Sequence, residues 1–311
     1  MSWMILLPLV IFLSLVGALE LGLRLILGLG NPLVYVADDQ IGYLLAPNQQ
    51  TRRFGNRIAI NQYSMRSQPI ADRPAEDTSR ILLLGDSVAN GGWWTDQKDT
   101  ISEMLSQDWR STPQSSAIEV LNASANSWGP RNELAYLQRF GSFGAQAIVV
   151  LINTDDLFAK APSPWGVGRD RSYPNRKSPL ALMELLDRYR DKGTQVPESP
   201  EPPEEGDRVS LNLDAIQAMQ SIAQQTSAQF LLAMTPLLRE IGHPGSRDYE
   251  IVVRQRLLDF TQVHGIPYLD FLPIFKSASQ PETLYRDHIH LSPEGNRLVS
   301  HSLSQAISLS N

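Results

Sequence analysis

Residues 81–90 read Ile-Leu-Leu-Leu-Gly-Asp-Ser-Val-Ala-Asn, and this stretch decides the fold of the chain. It joins a short apolar run to a polar turn that contains glycine. Four further apolar runs follow, and amphipathic segments lie between several of them. The five runs are Ile81–Leu84, Ile118–Leu121, Ala147–Ile152, Phe230–Met234 and Ile266–Leu269. Because strands that alternate with helices pair in parallel and are covered on both faces, the pattern predicts an α/β domain with a parallel sheet.

Six amphipathic segments between and after these runs predict helices. They are Ile101–Trp109, Arg131–Phe140, Leu180–Tyr189, Leu213–Gln224, Asp248–Val263 and Pro293–Ala306. Residues 31–79 mix Asn, Pro, Gln and Arg with short apolar pieces, so we expect a connecting region with minor strands there. The chain is therefore divided into residues 1–30, the connecting region 31–79 and a main domain over residues 80–311.

The composition excludes several classes of protein. Of the 311 residues, 42% are hydrophobic and 19% charged, which is enough to bury a sizeable core. The formal net charge of -6 argues against a nucleic-acid partner, and no long Lys/Arg cluster offsets it. The absence of cysteine excludes disulfides, Cys-ligated zinc, iron–sulfur clusters and a cysteine nucleophile. Much of the acidity lies in the Pro/Glu-rich segment 197–207, which we interpret as an extended loop.

The N-terminus is strongly apolar. Residues 3–19 carry no formal charge, and as a helix they would be about 26 Å long, slightly short of the roughly 30 Å hydrocarbon core of a bilayer. An extension past Glu20 and Arg24, which are four apart and can pair, would span it. We therefore predict a single transmembrane anchor within residues 1–30. A signal peptide cleaved after Ala18 and a buried helix of a soluble protein remain alternatives.

Two polar segments supply candidates for catalysis. Ser87 follows the first apolar run, and the carboxyl ends of parallel strands are where such sheets bind their ligands. Asp287 and His290 stand three apart, just before the helix-start signal Ser292-Pro293. A serine nucleophile needs a base to take its proton, and an imidazole needs a partner that fixes its tautomer. His290 and Asp287 can supply these two functions.

Other interpretations of these segments stay open. Gly85-Asp86-Ser87 is also ordinary turn chemistry, and the loop around Asp287 also fits a solvated surface. His288 is a local rival of His290, although a residue next to Asp287 usually points away from it. Two histidines and an acid also suggest a metal site, but the sequence has no further group of ligands to complete it. We therefore expect neither a metal nor a cofactor.

Together the two segments resemble those of the SGNH hydrolases, also called the GDSL esterase/lipase family, over about residues 80–308. Gly85-Asp86-Ser87 is similar to the nucleophile block of that family, and Asp287 with His290 is similar to its Asp-x-x-His block. The resemblance implies a three-layer α/β/α, flavodoxin-like fold with a five-stranded parallel sheet. It also implies Ser87 as the nucleophile, His290 as the general base and Asp287 as its orienting acid in an SGNH hydrolase-like domain over residues 80–311.

Two further blocks of the family supply the oxyanion hole, and here they fall on residues 122–129 and 152–157. The resemblance implies that the backbone N–H groups of Gly129 and Ser87 act as donors. The family usually has Gly-x-Asn-Asp in the other block, whereas this chain has Asn153 on the glycine and Asp155 on the asparagine. An ionised Asp155 would repel an oxyanion. Either Asn153 reaches the hole through a shifted loop, or Asp155 is protonated or turned away. Loss of one donor would weaken the enzyme, and an inactive protein stays an alternative.

The N-terminal part is similar to membrane-tethered bacterial members of the family whose domain lies outside the cytoplasm. The similarity rests on Glu20–Arg24, Ile41-Gly42-Tyr43 and Pro47-Asn48. Some of those proteins act on acylated envelope polysaccharides. We therefore predict a membrane-anchored, extracytoplasmic serine esterase that hydrolyses or transfers an acyl group, with an O-acetylated carbohydrate as a candidate substrate. The alternative is a weak or inactive member that binds carbohydrate as an envelope scaffold.

Overall fold

The computed structural model of the protein describes residues 3–110, 117–190 and 204–308. Its centre is a five-stranded, fully parallel sheet. The strands are β5 (Thr78–Gly85), β6 (Ala117–Ser124), β7 (Ala147–Asn153), β8 (Gln229–Thr235) and β9 (Tyr268–Asp270), in the spatial order β6-β5-β7-β8-β9. The first strand of the domain thus lies between the second and the third, which is the flavodoxin-like order. The predicted parallel sheet and flavodoxin-like fold are confirmed.

The sheet is buried on both faces because its strands are apolar at almost every position. Every residue of β7 is buried. Alternate residues of β5 face opposite sides, so Leu82 and Leu84 join one core cluster, and Ile81 and Leu83 join the other. The helices that cover the first face are α4 (Pro130–Phe140), α6 (Arg208–Gln225) and α8 (Asp248–His264). Those that cover the second are α3 (Ile101–Arg110), α9 (Phe271–Lys276) and α10 (Pro293–Ala306).

Several element bounds differ from prediction: strand β5 begins at Thr78 rather than Ile81, and β6 ends at Ser124 rather than Leu121. Helix α6 begins at Arg208 rather than Leu213, because the Asp207 carboxylate accepts the N–H groups of Val209 and Ser210 and caps the helix earlier. Strand β9 begins at Tyr268 rather than Ile266, since only three residues pair with β8. Of the predicted loop 197–207, residues 197–203 lie outside the described part of the chain. Residues 204–206 carry no helix or strand, and Glu204 forms an ion pair with Arg131.

The apolar N-terminus forms helix α1 (Trp3–Gly22), which continues as a π-helical turn over Leu23–Leu27. It ends at Gly28, whose φ of 70° lies in the left-handed region that favours glycine. Residues 6–27 are long and apolar enough to cross a membrane, and most of their side chains are exposed. The helix can therefore span a bilayer, as predicted, and a signal sequence near the N-terminus would have the same length and composition.

Residues 31–79 contain two antiparallel hairpins. The first pairs β1 (Tyr35–Asp38) with β2 (Gly42–Leu45), and the second pairs β3 (Gln49–Arg53) with β4 (Asn56–Ile60). Leu33, Tyr35, Leu45, Ile58 and Ile60 form a small apolar core between them. These hairpins lie beside the carboxyl end of the sheet, since Tyr43 donates its hydroxyl to the carbonyl of Asn126, just after β6.

Candidate active site

Ser87 stands at the carboxyl end of β5, where the strand order reverses between β5 and β7. It begins the short helix α2 (Ser87–Asn90), which is capped by the Asp86 carboxylate through the N–H of Val88 at 2.8 Å. The strand ends in glycine for a steric reason, since a Cβ at Gly85 would lie 2.6 Å from the carbonyl oxygen of Leu151. The predicted turn therefore holds the Ser87 side chain at the mouth of the sheet.

His290 and Asp287 lie on the loop that leads into α10, and Ser292 caps that helix as predicted. The Nε2 atom of His290 is 3.0 Å from Oγ of Ser87, although 203 positions separate the two residues. The Nδ1 atom of His290 is 2.8 Å from Oδ2 of Asp287 and 3.0 Å from Oδ1. The structure thus brings the three candidate residues together. His288 is 79% exposed, and its Nδ1 atom is 3.8 Å from the Asp287 carboxylate.

The Asp287 carboxylate is held in its ionised form. Partial burial acts to raise its pKa, but hydrogen bonds from the backbone and ring of His290 and from the N–H of Ile289 outweigh burial and bring the pKa below its ordinary value. An ionised Asp287 accepts a hydrogen bond from an N–H at Nδ1 and leaves Nε2, which faces Ser87, free to act as an acceptor.

The two other predicted oxyanion donors are engaged elsewhere. The backbone N–H of Gly129 donates to Oδ1 of Asn132 at 3.0 Å, because Gly129 caps α4. The side-chain nitrogen of Asn153 donates to Oδ2 of Asp86 and to Oδ2 of Asp156, at 2.9 Å each. Both amide hydrogens of Asn153 are therefore used. This geometry does not fit the donor roles predicted for Gly129 and Asn153.

Asp155, which takes the place of the family asparagine, is exposed. Its backbone N–H donates to Oδ1 of Asn153 at 2.8 Å, so the turn after β7 is fixed by the Asn153 side chain. Asp155 is not among the residues that line the cleft around Ser87. Because Asp155 lies outside the cleft, we do not expect it to repel an oxyanion there.

Ser127 was given no role by sequence reasoning, yet it lines the cleft with Ser87 and His290. A hydrogen bond of 3.2 Å from the N–H of Trp128 to the carbonyl of Ala125 closes a turn with Asn126 and Ser127 at its centre. The φ of Ser127 is 59°, in the left-handed region that turns with this hydrogen bond can require of their third residue. The one local sequence feature that indicates this turn is the pair Asn126-Ser127, since both residue types favour turns.

Asp86, which precedes the nucleophile, and two buried acids that feel its charge have raised pKa values. Burial raises the pKa of Asp86, and burial together with the charge of Asp86 raises the pKa of Asp156 well above its ordinary value. The same two causes raise the pKa of Glu133, which is completely buried and whose two carboxyl oxygens have no partner among the described residues. Within the described ranges, no group of three His, Asp or Glu side chains could hold a metal ion.

The cleft above Ser87 has a volume of about 460 Å³ and a mixed polar and aromatic lining. Trp94 packs on the His290 ring with 4.3 Å between the ring centroids. Arg286 stacks over Trp93 and Trp94, at 5.4 and 5.3 Å from their ring centroids. The charged residues of the lining are Arg53, Asp170, Arg171 and Arg188.

The family model described as the GDSL-like Lipase/Acylhydrolase family matches residues 83–298. Among solved structures, the acetyl xylan esterase AlAXEase is 14% identical, with a TM-score of 0.50 over 74% of this chain and 100% of that one. An acetylxylan esterase from Geobacillus stearothermophilus is 10% identical, with a TM-score of 0.47 over 76% of this chain and 98% of that one. A lipase/acylhydrolase from Enterococcus faecalis is 12% identical, with a TM-score of 0.45 over 73% and 94%. No curated protein matches the chain. At these identities the structural likeness shows the fold alone.

Proposed function

The chain belongs to the GDSL-like lipase/acylhydrolase family and is an ester hydrolase, and from this premise we propose that it works through an acyl-enzyme on Ser87. The observation that carries the proposal is the contact of 3.0 Å between Oγ of Ser87 and Nε2 of His290, in a ring whose other nitrogen lies 2.8 Å from Asp287. A base within hydrogen-bond reach of a serine, itself oriented by an acid, is the arrangement that activates a serine nucleophile.

In the first step, Oγ of Ser87 attacks the ester carbonyl and its proton passes to Nε2 of His290. Asp287 stabilises the imidazolium that forms, and His290 then protonates the departing alcohol. Asp86 offers a second acceptor to the serine hydroxyl, since its Oδ2 atom is 3.1 Å from Oγ. That oxygen already accepts a hydrogen bond from Asn153, so we assign the productive proton transfer to His290.

For the oxyanion we propose the backbone N–H groups of Ser87 and Ser127 as donors. Ser87 lies in the first turn of α2, where N–H groups have no acceptor within the helix. Ser127 lines the same cleft, and no described residue accepts a hydrogen bond from its N–H. Donors fixed by the backbone are already oriented before the charge develops, and each such donor is worth about 10² to 10³ in rate.

In the second step, His290 removes a proton from a water molecule, which attacks the acyl-enzyme and releases the acid. A hydroxyl group of a second substrate in place of water would give acyl transfer by the same chemistry. We propose hydrolysis as the activity because it requires no second binding site.

As substrate we propose a short acyl group, such as acetyl, on a hydroxylated carrier. The cleft supports this class because polar side chains, among them Asn126, Ser127 and Ser172, share its lining with the faces of Trp93 and Trp94. Flat aromatic faces beside polar groups suit sugar rings better than a long acyl chain. We also propose that α1 anchors the protein in a membrane, with the domain over residues 80–311 outside the cytoplasm.

The test is hydrolysis by the full-length chain in detergent, with esters of short and long acyl groups and an acetylated oligosaccharide. Ser87→Ala should lower kcat/KM by on the order of 10⁴ or more, and the wild type should carry an acyl group on Ser87 in a rapidly quenched reaction. Ser172→Ala, which changes another serine of the cleft, is the matched control and should stay active. Equal turnover by wild type and Ser87→Ala would exclude the acyl-enzyme. Carbohydrate binding without turnover of any ester would instead favour the scaffold role.

A further inference from the structure

Helix α5 (Ala181–Arg190) is attached to the end of the apolar helix α1. The carboxylate of Glu20 accepts the backbone N–H groups of Ala181 and Leu182, at 2.8 and 2.9 Å. These are N–H groups of the first turn of α5, which have no acceptor within the helix itself. Arg24 adds a hydrogen bond of 2.7 Å to the carbonyl of Pro179. The start of α5 is therefore fixed to the last turns of α1.

Apolar contacts continue this attachment. Leu182 and Leu185 on one side of α5 pack against a small cluster formed by Leu23, Leu27 and Leu29, which follow α1. This cluster is separate from the cores on the two faces of the sheet. Because Leu23 and Leu27 belong to the segment long enough to cross a membrane, α5 lies directly beside the end of that segment.

Beside this cluster, the start of α5 and the residue that precedes it carry exposed apolar side chains. Leu180, Met183 and Leu186 recur every three residues, and all three are exposed. Leu21 and Leu25 of the adjoining segment are exposed as well. An apolar patch of this kind on a soluble protein marks an interaction site. Here it borders the surface that lipid would cover if residues 6–27 span the bilayer.

The charge of this region differs from that of the whole chain. Residues 169–190 contain six basic and three acidic residues, whereas the complete chain has a net charge of -6. Helices that lie in the plane of a membrane surface combine an apolar face with basic residues, which attract anionic lipids. Both the apolar face and the local charge therefore match a bilayer surface.

We propose that α5 is an interfacial helix whose exposed apolar residues Met183 and Leu186, together with Leu180 just before the helix, enter the lipid surface beside α1. This inference rests on the membrane anchoring proposed above. If α5 lies in the lipid surface, the catalytic cleft lies at the membrane as well, because two residues of the cleft lining bind α5. Arg53 and Arg188 both line the cleft and both bind Glu184 of α5.

The length of the chain limits the distance between the cleft and the lipid. Pro32 lines the cleft and follows Leu27, the last residue of the apolar segment, by five positions. Five extended residues span at most about 18 Å. An ester presented at the membrane surface can therefore reach the cleft without a long excursion into water.

The experiment uses the full-length chain in vesicles of mixed neutral and anionic phospholipid. The natural chain has no cysteine, so Leu186→Cys, Val263→Cys and Leu13→Cys each carry one fluorescent label. Leu13 lies within α1 and reports the anchor. Val263 is 79% exposed at the end of α8, at the edge of the sheet where the strands begin, and is the control for an exposed apolar site away from the cleft. Quenching is compared between a lipid-borne quencher and a water-soluble one.

We expect the lipid-borne quencher to act several-fold more strongly on the labels at Leu186 and Leu13 than on the label at Val263, with Met183→Cys giving the same result as Leu186→Cys. A lipid-quenched label at Leu13 with a water-exposed label at Leu186 would overturn the interfacial role of α5 and leave the anchor intact. Protection of the Leu186 label from both quenchers would overturn it in favour of a protein partner. A water-exposed label at Leu13 would refute the anchor itself. Ester hydrolysis by each labelled variant is measured in a separate assay and shows that the variant is folded.

Discussion

The side-chain nitrogen of Asn153 lies 2.9 Å from Oδ2 of Asp86, the residue that precedes the candidate nucleophile. The same nitrogen donates to Asp156 at 2.9 Å, so one amide bridges two buried carboxyl groups beneath Ser87. The glycine that the family usually has at this position could not make these bonds. Asn153, which stands where the family usually has glycine, therefore stabilises the turn that carries Ser87 and does not contribute to the oxyanion hole.

Removal of the bridging amide should destabilise the fold. In Asn153→Ala, Asp86 and Asp156 each lose a hydrogen bond to a buried carboxyl oxygen, and we expect the free energy of unfolding to fall by about 2 to 4 kcal/mol. Chemical denaturation at neutral pH measures this change. The control is Asn175→Ala, at an exposed position, which should stay within about 0.5 kcal/mol of wild type. A similarly small effect of Asn153→Ala would mean that the two carboxyl groups do not depend on the bridge.

The candidate catalytic residues could be predicted from the sequence because each is marked by a local sequence pattern. Ser87 follows an apolar strand directly, and Asp287 and His290 share one short loop before a recognisable helix start, so the sheet topology alone brings them to one edge. The contacts of Asn153 could not be predicted in this way, because its partner Asp86 lies 67 positions away in the sequence. The left-handed backbone conformation of Ser127 could not be predicted from the sequence either, since serine seldom adopts that conformation.

Ser127 should tolerate glycine if its backbone carries the function. Its φ of 59° costs a residue with a Cβ roughly 1 kcal/mol, so Ser127→Gly should be as active as wild type and as stable or more stable. Ser127→Ala keeps both the N–H group and the unfavourable φ, and should be active without the gain in stability. Thermal unfolding and kcat/KM on a short-chain ester are the measurements. A rate loss of more than about tenfold in both variants would show that the hydroxyl, and not the backbone, is required.

Glu133 should make the stability of the protein depend on pH. Burial and the charge of Asp86 raise its pKa well above the ordinary value, so the folded chain keeps a proton that the unfolded chain releases above about pH 4.3. The contribution of this group to the free energy of unfolding therefore falls as pH rises through that range. Glu133→Gln should gain stability over wild type as pH rises above about 4.3, by up to about 1.4 kcal/mol per pH unit.

Denaturation curves at several pH values measure this difference between Glu133→Gln and wild type. Glu205→Gln, which changes an exposed glutamate, should give a curve of stability against pH parallel to that of wild type. Parallel curves for Glu133→Gln as well would mean that Glu133 titrates alike in the folded and unfolded chains.

Asp287 should act on the rate through the tautomer of His290. Its carboxylate lies 2.8 Å from Nδ1 and can only accept a hydrogen bond there, which leaves Nε2 without a proton and facing Ser87. In Asp287→Asn, the amide can donate to Nδ1 and place the proton on Nε2, where it blocks transfer from Ser87. We expect kcat to fall by on the order of 10⁴.

His288→Asn is the matched control for Asp287→Asn, because it changes the neighbouring, exposed residue of the same loop. It should leave kcat within about threefold of wild type, whereas loss of the orienting acid should lower kcat far more than it changes KM. If instead His288→Asn lowered kcat strongly and Asp287→Asn did not, His288 would be the base. If neither variant lowered kcat, the proton of Ser87 would have to pass to Asp86, whose Oδ2 atom lies 3.1 Å from Oγ, and Asp86→Asn would then be the inactive variant.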